Sequence, residues 1–76
     1  RAWAGVQVEG NQTREVIVRL LGEPSVAALH DTNGRWDLLA ELEVASMGEL
    51  SKALERIRLL KGIRITETSI LLASYK

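Results

Sequence analysis

Seventy-six residues, 46% of them hydrophobic and none of them cysteine, make one small domain near the lower size at which a core holds unaided, with no disulfide or thiolate metal site to staple it. Ten basic and ten acidic residues cancel, which excludes the basic footprint of a nucleic-acid binder and a polybasic membrane patch. A single histidine excludes a multi-histidine metal centre within one chain, no apolar run is long enough to span a bilayer, and the lack of thiols points to a reducing, cytoplasmic setting.

The chain starts at Arg1 without a methionine and enters strand-like sequence at once, so an excised piece of a longer protein is expected. Ala2 to Glu9 alternates, with Ala4, Val6 and Val8 on one face and Trp3, Gly5, Gln7 and Glu9 on the other, the pattern of a half-buried strand. Gly10-Asn11 breaks it, with Asn11 as the expected N-cap of a first helix. Val16, Ile17, Leu20 and Leu21 give that helix one apolar stripe. Gly22 stands where a left-handed residue after the helix is expected, and Pro24 stops continuation.

A second strand follows over Ser25 to Asp31, and then Asn33-Gly34, the dipeptide of a two-residue type I′ hairpin turn. The third strand, Trp36 to Val44, alternates cleanly. Trp36, Leu38, Ala40, Leu42 and Val44 are expected to cover the core; Asp37, Leu39, Glu41 and Glu43 face solvent or a partner. Ser46-Met47-Gly48-Glu49 reads as a capping box that opens a second helix, striped by Leu50, Ala53, Leu54, Ile57 and Leu60 and ended at Lys61-Gly62. Ile63 to Tyr75 reads as a long fourth strand with a bulge or bend where its parity breaks, around Glu67 to Ile70.

Strand, helix, strand, strand, helix, strand is the order of the α+β, ferredoxin-like split βαβ fold, a four-stranded antiparallel sheet with both helices on one face. No linker or low-complexity stretch interrupts residues 1–76, which are read as a single domain. The other sheet face is then uncovered and carries Trp3, Val26, Ala28 and Leu39, so dimerisation through that open face is expected.

Several residues resemble those of a known family. Glu23-Pro24-Ser25-Val26 at the second strand, Thr32-Asn33-Gly34-Arg35-Trp36-Asp37-Leu38 across the hairpin, and Lys61-Gly62-Ile63 with Ile65-Thr66-Glu67-Thr68 in the last strand are similar to the C-terminal effector-binding (RAM) domain of the Lrp/AsnC, or feast/famine, transcription regulators. The resemblance runs from Ala2 to Lys76. It implies a domain that dimerises through its sheets, assembles further into rings such as octamers, and binds an amino acid or related small metabolite where dimers meet. It implies no catalysis and no cofactor. DNA would be reached only through an N-terminal helix-turn-helix domain, of which these residues carry no sign. By match, Asn33, Gly34 and Asp37 belong to the effector site, with Thr66 and Thr68 holding the ligand's main-chain groups. Trp36 stands where the family commonly has tyrosine.

The chemistry of the residues agrees with that carry-over: Asp37 suits an ammonium, while hydroxyls and glycine N–H groups suit a carboxylate. The plain alternative is that Asn-Gly is only a turn and Asp37 only bonds nearby backbone. A two-residue turn sets His30 opposite Asp37, a pair able to titrate near neutrality, and a turn one residue longer separates them; the plainer reading of His30 is an interface or rim residue. Trp3 and Trp36 serve as packing anchors, and Trp36 and His30 are also able to wall a pocket. Two other functions stay open. One is a dimeric α+β barrel enzyme, for which Asp37, His30, Glu41 and Glu43 are a thin set of inward groups; the other is an assembly module without a ligand.

Overall fold

A computed structural model describes residues 1–76. The elements run β1 (Ala2–Val8), α1 (Thr13–Leu21), β2 (Val26–Asp31), β3 (Leu38–Leu42), α2 (Met47–Arg58) and β4 (Ile63–Ile70). All four strands pair antiparallel in the order β2-β3-β1-β4. The split βαβ arrangement expected from the alternation is therefore what the chain adopts.

Ala2, Ala4 and Val6 of β1 and Leu38, Ala40 and Leu42 of β3 are buried, against Val16 and Leu20 of α1 and Leu50, Ala53 and Ile57 of α2. Burial follows the period of two in the strands and one stripe on each helix, so a single apolar layer joins sheet and helices. Leu21, expected in the stripe of α1, is exposed. Val26, expected on the open face, packs against the core instead. A bulge between Val26 and Ala28 reverses its facing.

Helix α2 begins at the expected serine cap, with Glu49 reaching back to Ala45 N, one residue before the Ser46 N of a strict capping box. Ser46 is extended at φ −154° and ψ 164°, its Oγ accepts from Glu49 N at 3.1 Å, and Glu49 Oε2 accepts in return from Ala45 N at 2.9 Å. Replacing Ser46 with alanine removes one of these bonds. A loss of about 1 kcal/mol is expected, read as a lower urea midpoint at unchanged slope. Helix α1 lacks such a cap: Gln12, not Asn11, precedes it, and its side chain makes no capping bond.

Three other expectations are corrected. Gly22 is right-handed at φ −83°, because its N–H continues the helical pattern to Arg19 O. Positive φ falls instead on Gly10, at +28°, and on Gly62, at +97°, where a Cβ would stand 2.8 Å from Val16 Cγ2 and 2.9 Å from Gln12 Cβ. The connection into β4 thus runs against the start of α1 and admits only glycine. Strand β4 ends at Ile70, five residues short of Tyr75, since β1 begins at Ala2 and past it only Arg1 O remains, accepting from Leu71 N at 3.1 Å. Its irregularity lies at Arg64, the extra residue where Gln7 and Val8 pair with Ile65 and Ile63, rather than at Glu67 to Ile70.

Candidate functional site at the hairpin loop

The β2–β3 connection is not a two-residue turn. Asp31 pairs with Leu38, and Thr32 N donates to Asp37 O at 3.2 Å to close a loop over Thr32 to Asp37. Neither Asn33 nor Gly34 has positive φ, so the type I′ geometry is absent. Gly34 N donates to Thr32 Oγ1 at 3.1 Å, an internal hydroxyl turn that uses the donor a ligand carboxylate was expected to take. Asn33 is exposed at the tip.

Trp36 precedes β3 instead of opening it. A Cβ on Gly5 would come within 2.6 to 2.8 Å of three Trp36 ring atoms. Gly5 lies on the face of β1 opposite Ala4 and Val6, so the indole rests on the open sheet face, not over the core where alternation placed it. The signal was available: a glycine in the middle of a strand marks a close approach. The Arg35 guanidinium lies 5.2 Å from the Trp36 ring centroid, within cation–π range. Gln7 Nε2 donates to Arg35 O at 3.2 Å. The loop is therefore strapped onto β1 by its aromatic ring and by its backbone.

Asp37 completes the strap. Its N–H donates to Val6 O at 2.9 Å, and its Oδ2 accepts from Val8 N at 2.7 Å. One carboxylate oxygen thus caps the end of β1, on a backbone N–H 29 residues away and not on the local backbone that the plain alternative named. Oδ1 makes no bond within the chain.

His30 does not face Asp37. It stands opposite Leu39, its Nε2 is 3.0 Å from Glu41 Oε2, and its ring stacks on Trp3 with centroids 6.2 Å apart. The longer loop separates it from Asp37 and gives it the diagonal neighbour on β3. Glu43 reaches only Arg1, at 4.0 Å.

Thr66 and Thr68 share a face, but the helix-side one, since they pair with Val6 and Ala4 of β1. Thr68 Oγ1 is buried and unpartnered. Both belong to the edge strand, with β1 between them and Asp37, roughly 10 Å at ordinary strand spacing. Within one chain they do not converge on the loop. No three His, Asp or Glu side chains are grouped to hold a metal, and no helix is long and apolar enough to cross a membrane.

The chain is thus a ferredoxin-like α+β domain with one sheet face left uncovered by its helices and the β2–β3 loop strapped along that face. The family model of the Lrp/AsnC ligand binding domain matches residues 1–76, and the chain belongs to that family of regulatory, effector-binding domains. A Thermus thermophilus protein has the same fold at TM-score 0.92 and 25% identity, covering 99% of this chain and 95% of its own. Escherichia coli AsnC shares the fold at TM-score 0.91 and 20% identity over 96% of this chain and 50% of its own. In sequence, the chain is 35% identical over 72 residues to a homocitrate synthase of Sulfurisphaera tokodaii, covering 93% of this chain and 16% of the synthase. It is 24% identical over 71 residues to the HTH-type transcriptional regulator FL11 of Pyrococcus furiosus, covering 93% of this chain and 47% of the regulator. The chain spans less than half the length of these two relatives.

Proposed function

We propose that residues 1–76 form a single, non-catalytic sensor that binds an amino acid or a closely related metabolite and couples its binding to self-assembly. The observation that carries this reading is the hairpin loop itself, strapped to an open sheet face and leaving Asp37 Oδ1 unpartnered. Asp37 takes the ligand's ammonium; Asn33 and Gly34 frame it, Trp36 walls it, and Arg35 supplies a guanidinium for its carboxylate. The open face carries Trp3, Trp36, Leu39 and Ile65, and a second copy packed on it covers them, with His30 and Glu41 inside the rim. Thr66 and Thr68 enter a site only where another dimer meets the β4 edge, which suits an octamer or similar ring and a ligand held between dimers. The working location is the cytoplasm.

FL11 favours output through DNA, by a helix-turn-helix domain elsewhere in a longer chain. The homocitrate synthase favours a second reading, in which the same module regulates an attached enzyme. Light scattering and thermal melting against a panel of amino acids test the common core of both. A dimer or larger species is expected, with one amino acid raising Tm. Asp37→Asn keeps an acceptor for Val8 N but removes the charge, so it should weaken that ligand at least tenfold with little change in the unliganded Tm. A monomer at micromolar concentration overturns assembly and sensing together. An oligomer indifferent to every amino acid leaves only assembly.

A further inference from the structure

On the helical side, away from the hairpin loop, a cleft of about 520 Å³ opens between the end of α1, the start of β2 and the last turns of α2. That volume lies in the range of small-molecule pockets, roughly 300–1,000 Å³. Its walls bring together Arg19, Arg56, Pro24, Ile57 and Leu60, with Glu23 at its base. Glu23 is the one buried charged residue of the chain, at 8% exposure. Both of its carboxylate oxygens accept from Arg56 Nε, at 2.5 and 3.3 Å.

That contact uses one of the five N–H donors of the guanidinium. The two terminal nitrogens of Arg56 make no bond within the chain, while the Arg56 side chain remains half-exposed along the cleft. Glu23 therefore acts as a fixed bracket that holds the guanidinium in place and leaves its fork open. Arg19 also lines the cleft, tied only loosely to Glu15 at 3.8 Å. Two guanidinium groups against one carboxylate leave the lining with a single net positive charge, and Ile57, Leu60 and Pro24 give it an apolar side. Glu23, buried and already paired with Arg56, is the only carboxylate on these walls, so the lining favours a carboxylate over an ammonium.

We propose that this cleft is a second ligand site, built for a short aliphatic monocarboxylate that lacks an amino group. The terminal nitrogens of Arg56 and the guanidinium of Arg19 receive the carboxylate, and the hydrocarbon part lies along Ile57 and Leu60. It stands apart from the hairpin loop in both position and selectivity: the loop offers an anion to an ammonium, the cleft offers cations to a carboxylate.

Amide NMR on the 76-residue chain, titrated with 3-methylbutanoate, tests this directly. Saturable shifts are expected at Gly22, Ile57 and Leu60, with none from isobutylamine under the same conditions. Arg19→Gln leaves the Glu23–Arg56 pair intact, so the chain folds, and it should weaken the carboxylate about tenfold or more. Asp37→Asn should leave the titration unchanged, which keeps this site's success or failure separate from that of the loop. No saturable shift at these amides overturns the proposal. So does an undiminished affinity in Arg19→Gln, or inorganic phosphate binding as well as the carboxylate, which would make the cleft a general anion surface.

Discussion

Replacing Arg56 with methionine is expected to destabilise the chain by about 3 kcal/mol and to lower its Tm by on the order of 15 °C. The reason is Glu23, whose side chain is 6% exposed and whose two oxygens have Arg56 as their partner. A carboxylate left buried and unpaired carries its full desolvation cost. The lower end of the range for broken buried pairs applies because Arg56 itself is half-exposed, so some water can follow it inward. The pair joins the α1–β2 connection to α2, two segments 33 residues apart, and no other ion pair bridges them. Glu23→Met combined with Arg56→Met should recover most of the loss, since an apolar pair of similar volume replaces a buried ion pair at little cost. Thermal melting of the two single variants and the double variant gives the coupling directly. A Tm for Arg56→Met equal to that of the parent would mean that water already reaches Glu23, and that the pair pins nothing.

Much of the fold could be read from the sequence because alternation survives errors of register. The expected turn paired Asp31 with Trp36; the actual loop pairs Asp31 with Leu38. The difference is two residues, an even number, so Leu38, Ala40 and Leu42 keep the core face they were assigned. Partners on the open face do not survive the same slip. His30 moves from Asp37 to Leu39 opposite and Glu41 diagonally, and a proposed His–Asp pair becomes a His–Glu pair. Trp36 escaped the reading for a different reason: outside a strand, parity says nothing about where a side chain points. Val26 escaped it because a single bulged residue inverts facing without altering the apolar pattern. The Glu23–Arg56 pair lies beyond periodicity altogether. It joins residues distant in sequence, and its only local hint is a carboxylate placed just after α1, beside a connection that the fold must bury.

Gly5→Val should be the most damaging single change on the open face, because the ring of Trp36 occupies the space a Cβ needs. At 2.6 to 2.8 Å from three ring atoms, even a methyl group cannot be absorbed by small adjustments on a central strand paired on both sides. The indole has to leave, and the loop with it, since Arg35 O and the Asp37 backbone and carboxylate are held by Gln7, Val6 and Val8 of the same strand. An overpacking cost of about 1–3 kcal/mol is expected, with Tm lower by on the order of 10 °C and Trp fluorescence shifted to the red. The mechanism makes a sharper demand than the loss itself. In a Trp36→Ala background the clash disappears, so the added cost of valine at position 5 should fall to a fraction of its value in the parent. Valine there should also abolish any amino-acid-dependent rise in Tm, although position 5 touches no proposed ligand atom, because Asp37 can present its free oxygen only while the loop lies flat. Equal costs for valine in both backgrounds would place the strain elsewhere in the sheet and detach the loop from Gly5.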